Sequence, residues 1–416
     1  MSKSSFLNNK NVTKSNIAIF CILLMFVGLL RSRLFLSLGM ILLGINALWN
    51  IPPREWLKQK WWLMGVAWVA MYALSGLWST NKAEWGVYLQ MKLPVLLLPL
   101  AFSFLPPFTA RQLQLLTISI GMMLLGGAFY SVSFLIFDYT HYIQEYNVSH
   151  ILPTPVYGDY ICFSTSCALF IIWSMYMWPR LLSKSAQYVV SIIALLLAVY
   201  LHILASKSGL VAFYLFTFSW AIYTVFAKRS IAGIAGVLCI PLFLYCAVTF
   251  IPTLHERKAH IVYTYYRFRD QDKSGTLGDL SRLISYDVSM KIIKEHPLLG
   301  VGTGDMLAEM NTGYNKWYPQ VTEERNRLIP HNQFLTIALG CGIPAMLFFL
   351  IWVFMPLFHL PEGRDRFFFI ITWGVLLIQL MIEPFLEGQF GVFVYLFFLL
   401  MLRQVIQKKD RISTNL

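Results

Sequence analysis

Residues 231–251 read IAGIAGVLCIPLFLYCAVTFI, an apolar run without one charged side chain, and the chain then turns at once to PTLHERKAH at 252–260. A helix needs roughly 20 such residues to cross ~30 Å of hydrocarbon. Backbone groups in lipid must bond within their own segment, so the run is a helix; a lipid-facing β-barrel would alternate apolar and polar residues. Similar runs precede it at 17–30, 34–49, 61–78, 93–105, 113–137, 157–178, 188–205 and 210–226, and follow it at 332–358, 367–382 and 390–402. The expectation is an all-α polytopic membrane protein with about twelve transmembrane helices by the length criterion. Composition agrees: 57% hydrophobic and 13% charged residues leave too few charges to clothe a soluble globule of this length.

The long polar stretch divides the chain. Residues 1–251 hold helices one to nine, 252–330 form one large outer loop with amphipathic helices and the catalytic elements, and 331–416 hold helices ten to twelve and a cytoplasmic tail. Lys3, Lys10 and Lys14 before the first apolar run imitate a signal peptide, but no small-residue cleavage site follows Leu30, so this run reads as the first helix. The six cysteines lie in or beside apolar runs without CxxC spacing, which points to buried free thiols.

Lys and Arg in short loops set the orientation. With both termini in the cytoplasm, the inside collects Lys3, Lys10, Lys14, Arg54, Lys58, Lys60, Arg180, Lys228, Arg364, Arg403 and their neighbours, while short outside loops keep Arg31, Arg33, Lys82, Lys92 and Lys207. The Arg31/Arg33 pair runs against this bias. The 252–330 stretch falls outside, and loops of that length are exempt from the rule. The net charge of +13 is scattered over short turns inside, which argues against nucleic acid as a partner, and is available outside to an anionic ligand.

Within the outer stretch, Leu283, Tyr286, Met290 and Ile293 recur at helical spacing between Gly278 and Pro297, with Asp279 or Ser281 as cap. Arg282 falls in the first turn. Two readings stand: its planar fork and the helix N-terminus cradle phosphate oxygens, or it is a solvated Arg on a helix lying at the membrane surface. His296-Pro297-Leu298-Leu299-Gly300-Val301-Gly302-Thr303-Gly304-Asp305 has glycines like a nucleotide loop, but no strand precedes it, and a tight structural turn fits better. His331, where the chain re-enters the membrane after Pro330, either takes a proton from a sugar hydroxyl or caps and anchors the helix. Glu383 and Glu387 cluster at an outer end, and the segment 138–159 carries His141, Glu145 and His150 but no Lys or Arg, a candidate contact for an acceptor. Tyr263, Tyr265, Tyr266, Phe268, Tyr314, Trp317 and Tyr318 offer stacking faces for sugars or anchors for headgroups.

Arg282 with its helix, then His296-Pro297-Leu298-Leu299-Gly300-Val301-Gly302, Pro330-His331-Asn332-Gln333-Phe334-Leu335 and Gly340-Cys341-Gly342-Ile343-Pro344, resemble the signature of bacterial O-antigen ligases and related Wzy-type polymerases. The match is specific across residues 282–344 and diffuse elsewhere. The resemblance implies a multi-pass protein of the bacterial inner membrane whose site faces the periplasm. It implies an inverting glycosyltransferase that moves a glycan from undecaprenyl diphosphate to an acceptor hydroxyl on lipid A-core, with no nucleotide, metal or other cofactor. The family's essential Arg and His fall on Arg282 and His331, with Asn332, Glu387 and His150 as secondary candidates. Many members carry a further Arg after a Ser; Ser206-Lys207-Ser208-Gly209 has Lys207 there, a point charge for a diphosphate without the bidentate fork. Polymerisation of repeat units by the same chemistry, or growth of a glycan, is the alternative. A polysaccharide transporter or flippase predicts mid-membrane ionisable residues and paired broken helices; the runs hold little beyond His202, and Gly340, Gly342 and Pro344 interrupt one of them.

Overall fold

The computed structural model describes residues 3–49, 51–147, 150–156, 159–269, 278–360 and 362–413. A hairpin of α1 (Lys3–Arg31) and α2 (Arg33–Leu48) leads through the short α3 (Pro53–Trp56) to α4 (Lys60–Ser75) and α5 (Lys82–Phe104). Next come α6 (Ala110–Phe137), the short α7 (Tyr139–Asn147), α8 (Tyr160–Met177), α9 (Lys184–Leu204), α10 (Lys207–Lys228) and α11 (Ile231–Phe250). The polar stretch folds as α12 (Pro252–Arg269), α13 (Gly278–Glu295) and α14 (Met306–Trp317), and α15 (Gln333–Phe354), α16 (Gly363–Ile382) and α17 (Gln389–Ser413) complete the bundle. Among the described residues there is no strand.

Among the described residues, ten helices are long and apolar enough to cross a membrane. The other two of the twelve expected spans are α2 and α4, each 16 residues, and both pack against longer neighbours: α2 on α1 and α5, α4 on α5 and α15. The core runs along α8 and α17, whose spans are 83% and 78% buried, whereas α11, apolar all round, is 11% buried and presents its sides to lipid. All six cysteines are free, and Cys239 on α11 is exposed.

Capping explains several boundaries. Thr109 and Gln112 form a reciprocal capping box at the start of α6, with contacts of 2.8 and 3.2 Å that occupy two donors no helix turn can serve. Asn332 does the same for α15, its Oδ1 accepting from Phe334 N at 2.9 Å and Leu335 N at 3.1 Å. The Asp279 side chain, one of the caps expected for α13, lies outside the described residues, and Ser281 is buried within the helix. Because α13 begins at Gly278, Arg282 stands at the start of its second turn rather than in the first.

The interruption of α15 shows why the glycine motif is where it is. Gly342 has φ 84° and ψ 169° inside the helix, a region open to glycine almost alone, and a Cβ there would lie 2.1 Å from Leu298 O. In an unbroken helix Gly340 O would accept from residue 344, but that residue is Pro344 and has no N–H. The motif supplies the missing donor: Gly302 N reaches Gly340 O at 3.0 Å, Val301 N reaches Leu339 O at 2.8 Å, and Ile343 N returns a bond to Pro297 O at 2.8 Å. Gly300, at φ 65°, permits the approach, since a Cβ would meet Leu339 O at 2.5 Å. Residues 297–302 are thus a plug that satisfies a broken membrane helix. Around the plug, Ile284, Val288 and Ile292 of α13 and Met306, Met310 and Tyr314 of α14 pack on Leu339 as a small separate core.

One expected loop charge is misplaced by the sequence reading. Lys92 is not in a short outer loop but inside α5, fully buried, because a carboxylate from a distant segment, Glu387, is brought to it at 2.6 Å.

Candidate functional site

Three chain segments meet at one carboxylate. Glu383 follows the last turn of α16, and its Oε1 accepts from Arg282 Nη2 at 2.5 Å, while its Oε2 lies 2.7 Å from His331 Nδ1. Those two contacts on one carboxylate hold the guanidinium and the imidazole within roughly 8 Å of each other. Arg282 and His331 keep 28% and 20% of their side chains accessible, whereas Glu383 keeps 9%, so the guanidinium and the imidazole are the more open groups and the carboxylate they share is buried.

The neighbours fix this arrangement. Tyr286, one turn along α13 from Arg282, donates its hydroxyl to His331 O at 2.7 Å. Burial pushes the Tyr286 phenol above its ordinary range, Arg282 opposes that and Glu383 reinforces it, so it remains a donor. Asn332 Nδ2 donates to Met381 O at 2.9 Å, tying the start of α15 to the end of α16 two residues before Glu383. Gln333 bridges onward: its Nε2 donates to Glu387 Oε1 and its Oε1 accepts from Leu386 N, both at 2.6 Å. Lys92 closes the network from α5, donating to Glu387 Oε2 and Leu386 O at 2.6 Å each, and Tyr72 OH donates to Glu387 Oε1 at 2.8 Å. Glu387 is therefore engaged in a buried clamp, and Glu383 occupies the exposed side of the same turn.

A carboxylate accepts hydrogen bonds and donates none, so the Glu383 contact assigns the proton of neutral His331 to Nδ1 and leaves the lone pair on Nε2. This is the orientation of a base whose partner carboxylate stabilises the imidazolium once a proton arrives. The guanidinium has five donors in a planar fork. Glu383 engages it through Nη2, which leaves donors of the fork to an incoming phosphate.

The segment before α8 joins the same rim. Asp159 caps α8 by accepting from Cys162 N at 2.8 Å. Its carboxyl is raised above the ordinary range by burial, lowered by the Cys162 contacts, and raised further by Glu383 and lowered by Arg33, which places both of those charges in its surroundings. Tyr160 likewise stands in the field of Arg282, Glu383 and Arg257.

The other sequence candidates fall around this centre. Lys207 is the first residue of α10 and half-buried. Gln379 Nε2 donates to Ser208 O at 3.2 Å, which sets the start of α10 beside α16, and Gln379 lies one turn, about 6 Å along the axis, from Glu383. His150 is exposed, pairs with Glu145, and lines a separate cleft with Arg31 and Tyr160. His202 is a satisfied core histidine, bonded to Ala198 O and Tyr214 OH at 2.7 Å each. Of the aromatic candidates, Tyr263, Tyr265 and Tyr266 are exposed on α12, the Phe268 side chain lies outside the described residues, and Tyr314 is buried with its hydroxyl on Leu328 O at 3.2 Å. Tyr318 is bound to Asp287 at 2.7 Å, and Lys291 sits over the Trp317 and Tyr318 rings. Sequence reasoning placed Glu383 and Glu387 together at an outer end where both could serve the site, and named only Glu387 as a secondary candidate. Both are carboxylates at the end of an apolar run, and only tertiary contacts tell them apart.

The profile of the O-antigen ligase family, Wzy_C, matches residues 166–350. Over this stretch, which is less than half of the chain, the protein is similar to the O-antigen ligase family. The matched stretch contains Lys207, Arg282, the plug and His331, and stops before Glu383, so the carboxylate that joins Arg282 to His331 comes from beyond it. No curated protein matched the chain at a significant level.

Proposed function

We propose that this O-antigen ligase-family protein transfers a glycan from undecaprenyl diphosphate to a hydroxyl of lipid A-core, at the periplasmic face of the bacterial inner membrane and with inversion at the anomeric carbon. The observation that carries the reading is the convergence of Arg282 and His331 on Glu383 across 101 and 52 residues of chain. The acceptor hydroxyl gives its proton to His331 Nε2 as its oxygen attacks the anomeric carbon. The bond from that carbon to the diphosphate breaks, and the lipid diphosphate leaves with the electron pair. Glu383 stabilises the imidazolium that results. Negative charge gathers on the leaving oxygen, and Arg282, with Lys207 nearby on the rim, supplies fixed cations for it. Each charge-assisted hydrogen bond contributes about 1.5–3 kcal/mol, so a pair of cations can take the place of a divalent ion. Inversion follows if attack comes from the face opposite the diphosphate, as base and cation on different oxygens of one carboxylate allow.

Purified protein, lipid-diphosphate glycan and lipid A-core, reconstituted with chelator present, test this directly. Transfer is expected in the wild type and should vanish in Arg282→Ala and His331→Ala, both still monodisperse in detergent. Undiminished transfer in either variant removes that residue from the mechanism. A product lengthened on the carrier lipid, in place of glycosylated lipid A-core, assigns the chemistry to polymerisation.

A further inference from the structure

At the end of the bundle opposite Glu383, a cavity of about 700 Å³ opens between α4, α5, α16, α17 and the turn after α15, and no step of the transfer uses it. Phe369, in its wall, lies about four turns before Glu383 on α16, which separates cavity and site by about 20 Å.

No acidic residue lines the cavity, whereas Lys58, Lys60 and Arg403 all stand in its wall. Lys58 is engaged by Glu55 at 2.8 Å. Among the described residues no carboxylate pairs with Lys60 or Arg403, so the wall carries a net positive charge.

Rings, in place of a carboxylate, hold the Arg403 guanidinium. It lies over Trp61, 5.7 Å from the ring centroid, and Trp61 stacks on Trp352 with centroids 5.6 Å apart. Trp61 Nε1 donates to Trp352 O at 2.9 Å and Trp62 Nε1 donates to Leu96 O at 2.7 Å, so both indoles are fixed in the wall. The planar fork of Arg403 is therefore positioned in advance with its donors unspent on the described residues. A smaller cavity of about 330 Å³ adjoins, and Gln59, Ser103, Arg403 and Gln407 line both. Two amides and a hydroxyl thus accompany the guanidinium where the two volumes meet.

The remainder of the wall is apolar and reaches the outside of the bundle. Met355, Pro356 and Phe358 form the turn after α15, and Phe358 is 75% exposed. Lys60 opens α4, and Arg403 lies one turn before the end of the apolar span at Gln407, so both stand at the depth where hydrocarbon gives way to headgroups. Trp61 and Trp62 mark the same depth. A soluble phosphate would use the cations and leave the apolar lip idle. A phospholipid uses both.

We propose that this cavity binds one anionic phospholipid, its phosphodiester on Arg403 and Lys60 and an acyl chain across Phe358. In the orientation that the loop charges give, the lipid belongs to the cytoplasmic leaflet, where basic pockets between helices meet anionic headgroups. It bridges α4 to α17 as a structural ligand, and the inference is independent of the transfer reading.

The test uses the full chain in liposomes containing phosphatidylglycerol or phosphatidylcholine, each with the same photoreactive acyl chain. The lipid-facing α11, 11% buried, is the internal reference. In the wild type, labelling of residues 355–360 relative to α11 should be about tenfold higher with phosphatidylglycerol, the worth of one charge-assisted hydrogen bond. The excess should vanish in Lys60→Gln/Arg403→Gln and persist in part in Arg403→Lys, which keeps the charge and loses the fork. Should the double variant fail to fold, Lys60→Gln decides, because Lys60 is exposed; it should lower the excess about fivefold. Equal labelling by the two lipids in the wild type, or an excess that survives in the folded variants, overturns the proposal. Abolition of the excess by inorganic phosphate or ATP also overturns it and assigns the cations to a soluble anion. Arg282→Ala should leave this labelling unchanged, so the transfer reading and the lipid site fail separately.

Discussion

Replacing Glu383 with Gln leaves the shape of the site almost unchanged and removes the one feature both reactive groups share. The carboxylate accepts from Arg282 at 2.5 Å and from His331 at 2.7 Å, one partner on each oxygen. A glutamine has one acceptor oxygen and one NH2 group, so whichever partner meets the NH2 faces a donor with a donor. The loss is at least one charge-assisted hydrogen bond, about 1.5–3 kcal/mol. If that energy orients the imidazole and stabilises its protonated form in the transition state, kcat falls about 10- to 150-fold, at 1.36 kcal/mol for each factor of ten. The imidazolium bears most of the cost, so the fall should appear in kcat with little change in acceptor KM. Donor KM should not rise, since Arg282 is relieved of an anion that competes with the diphosphate. The assay is initial-rate transfer in proteoliposomes, with detergent size-exclusion profiles and thermal unfolding to establish that the variant is folded. A folded Glu383→Gln within twofold of wild-type kcat would refute the assignment of Glu383 as the partner of a catalytic base.

The clamp beneath the site should behave differently. Lys92→Met leaves the Glu387 carboxylate buried without its ammonium and should destabilise the protein by about 3–5 kcal/mol, read as a lowered unfolding temperature in detergent; Lys92→Met/Glu387→Gln should recover much of the loss, and a double variant no better than the single would refute the pairing. Asp305 is a second anchor, accepting from Thr80 N and Thr80 Oγ1 at 2.6 Å each and from Asn81 N at 3.0 Å. Burial works to raise its carboxyl, but these hydrogen bonds and Lys82 outweigh that and hold it below the ordinary range. Its folded value is depressed, so its contribution is fully present above the unfolded carboxyl value of about 3.9 and is lost as pH falls through the lower folded value. Asp305→Asn should therefore cost about 1–3 kcal/mol at neutral pH, and the gap in unfolding temperature between wild type and variant should close only below about pH 4. A gap that is independent of pH would show that the charge contributes nothing.

The two carboxylates at the end of α16 show how far sequence could be read. Both follow an apolar run and both lie near Pro384, so local pattern gives them equal standing. The fold separates them by four residues of backbone geometry: one turns inward to Lys92, Gln333 and Tyr72, the other upward to Arg282 and His331. Lys92 misled for a related reason. A charge in an apolar run reads as a loop residue unless its partner is known, and that partner stands 295 positions away. The motif at 297–302 was readable as a turn, but its service to the carbonyls left open by the break at Gly342 and Pro344 was not, because it depends on two segments meeting.

Apolar run length and the scarcity of charge determined from sequence alone that this chain is a helical membrane bundle with a long polar stretch, since lipid admits almost no other way to satisfy a backbone. The residue types at Arg282 and His331 were likewise plain in the one-dimensional text. What only the tertiary structure decided is which charges meet. Coulombic and hydrogen-bond partners act over a few ångströms, and the chain reaches those distances by packing helices that are far apart in sequence, so Glu383 acquires its role, and Lys92 its burial, only when the bundle closes.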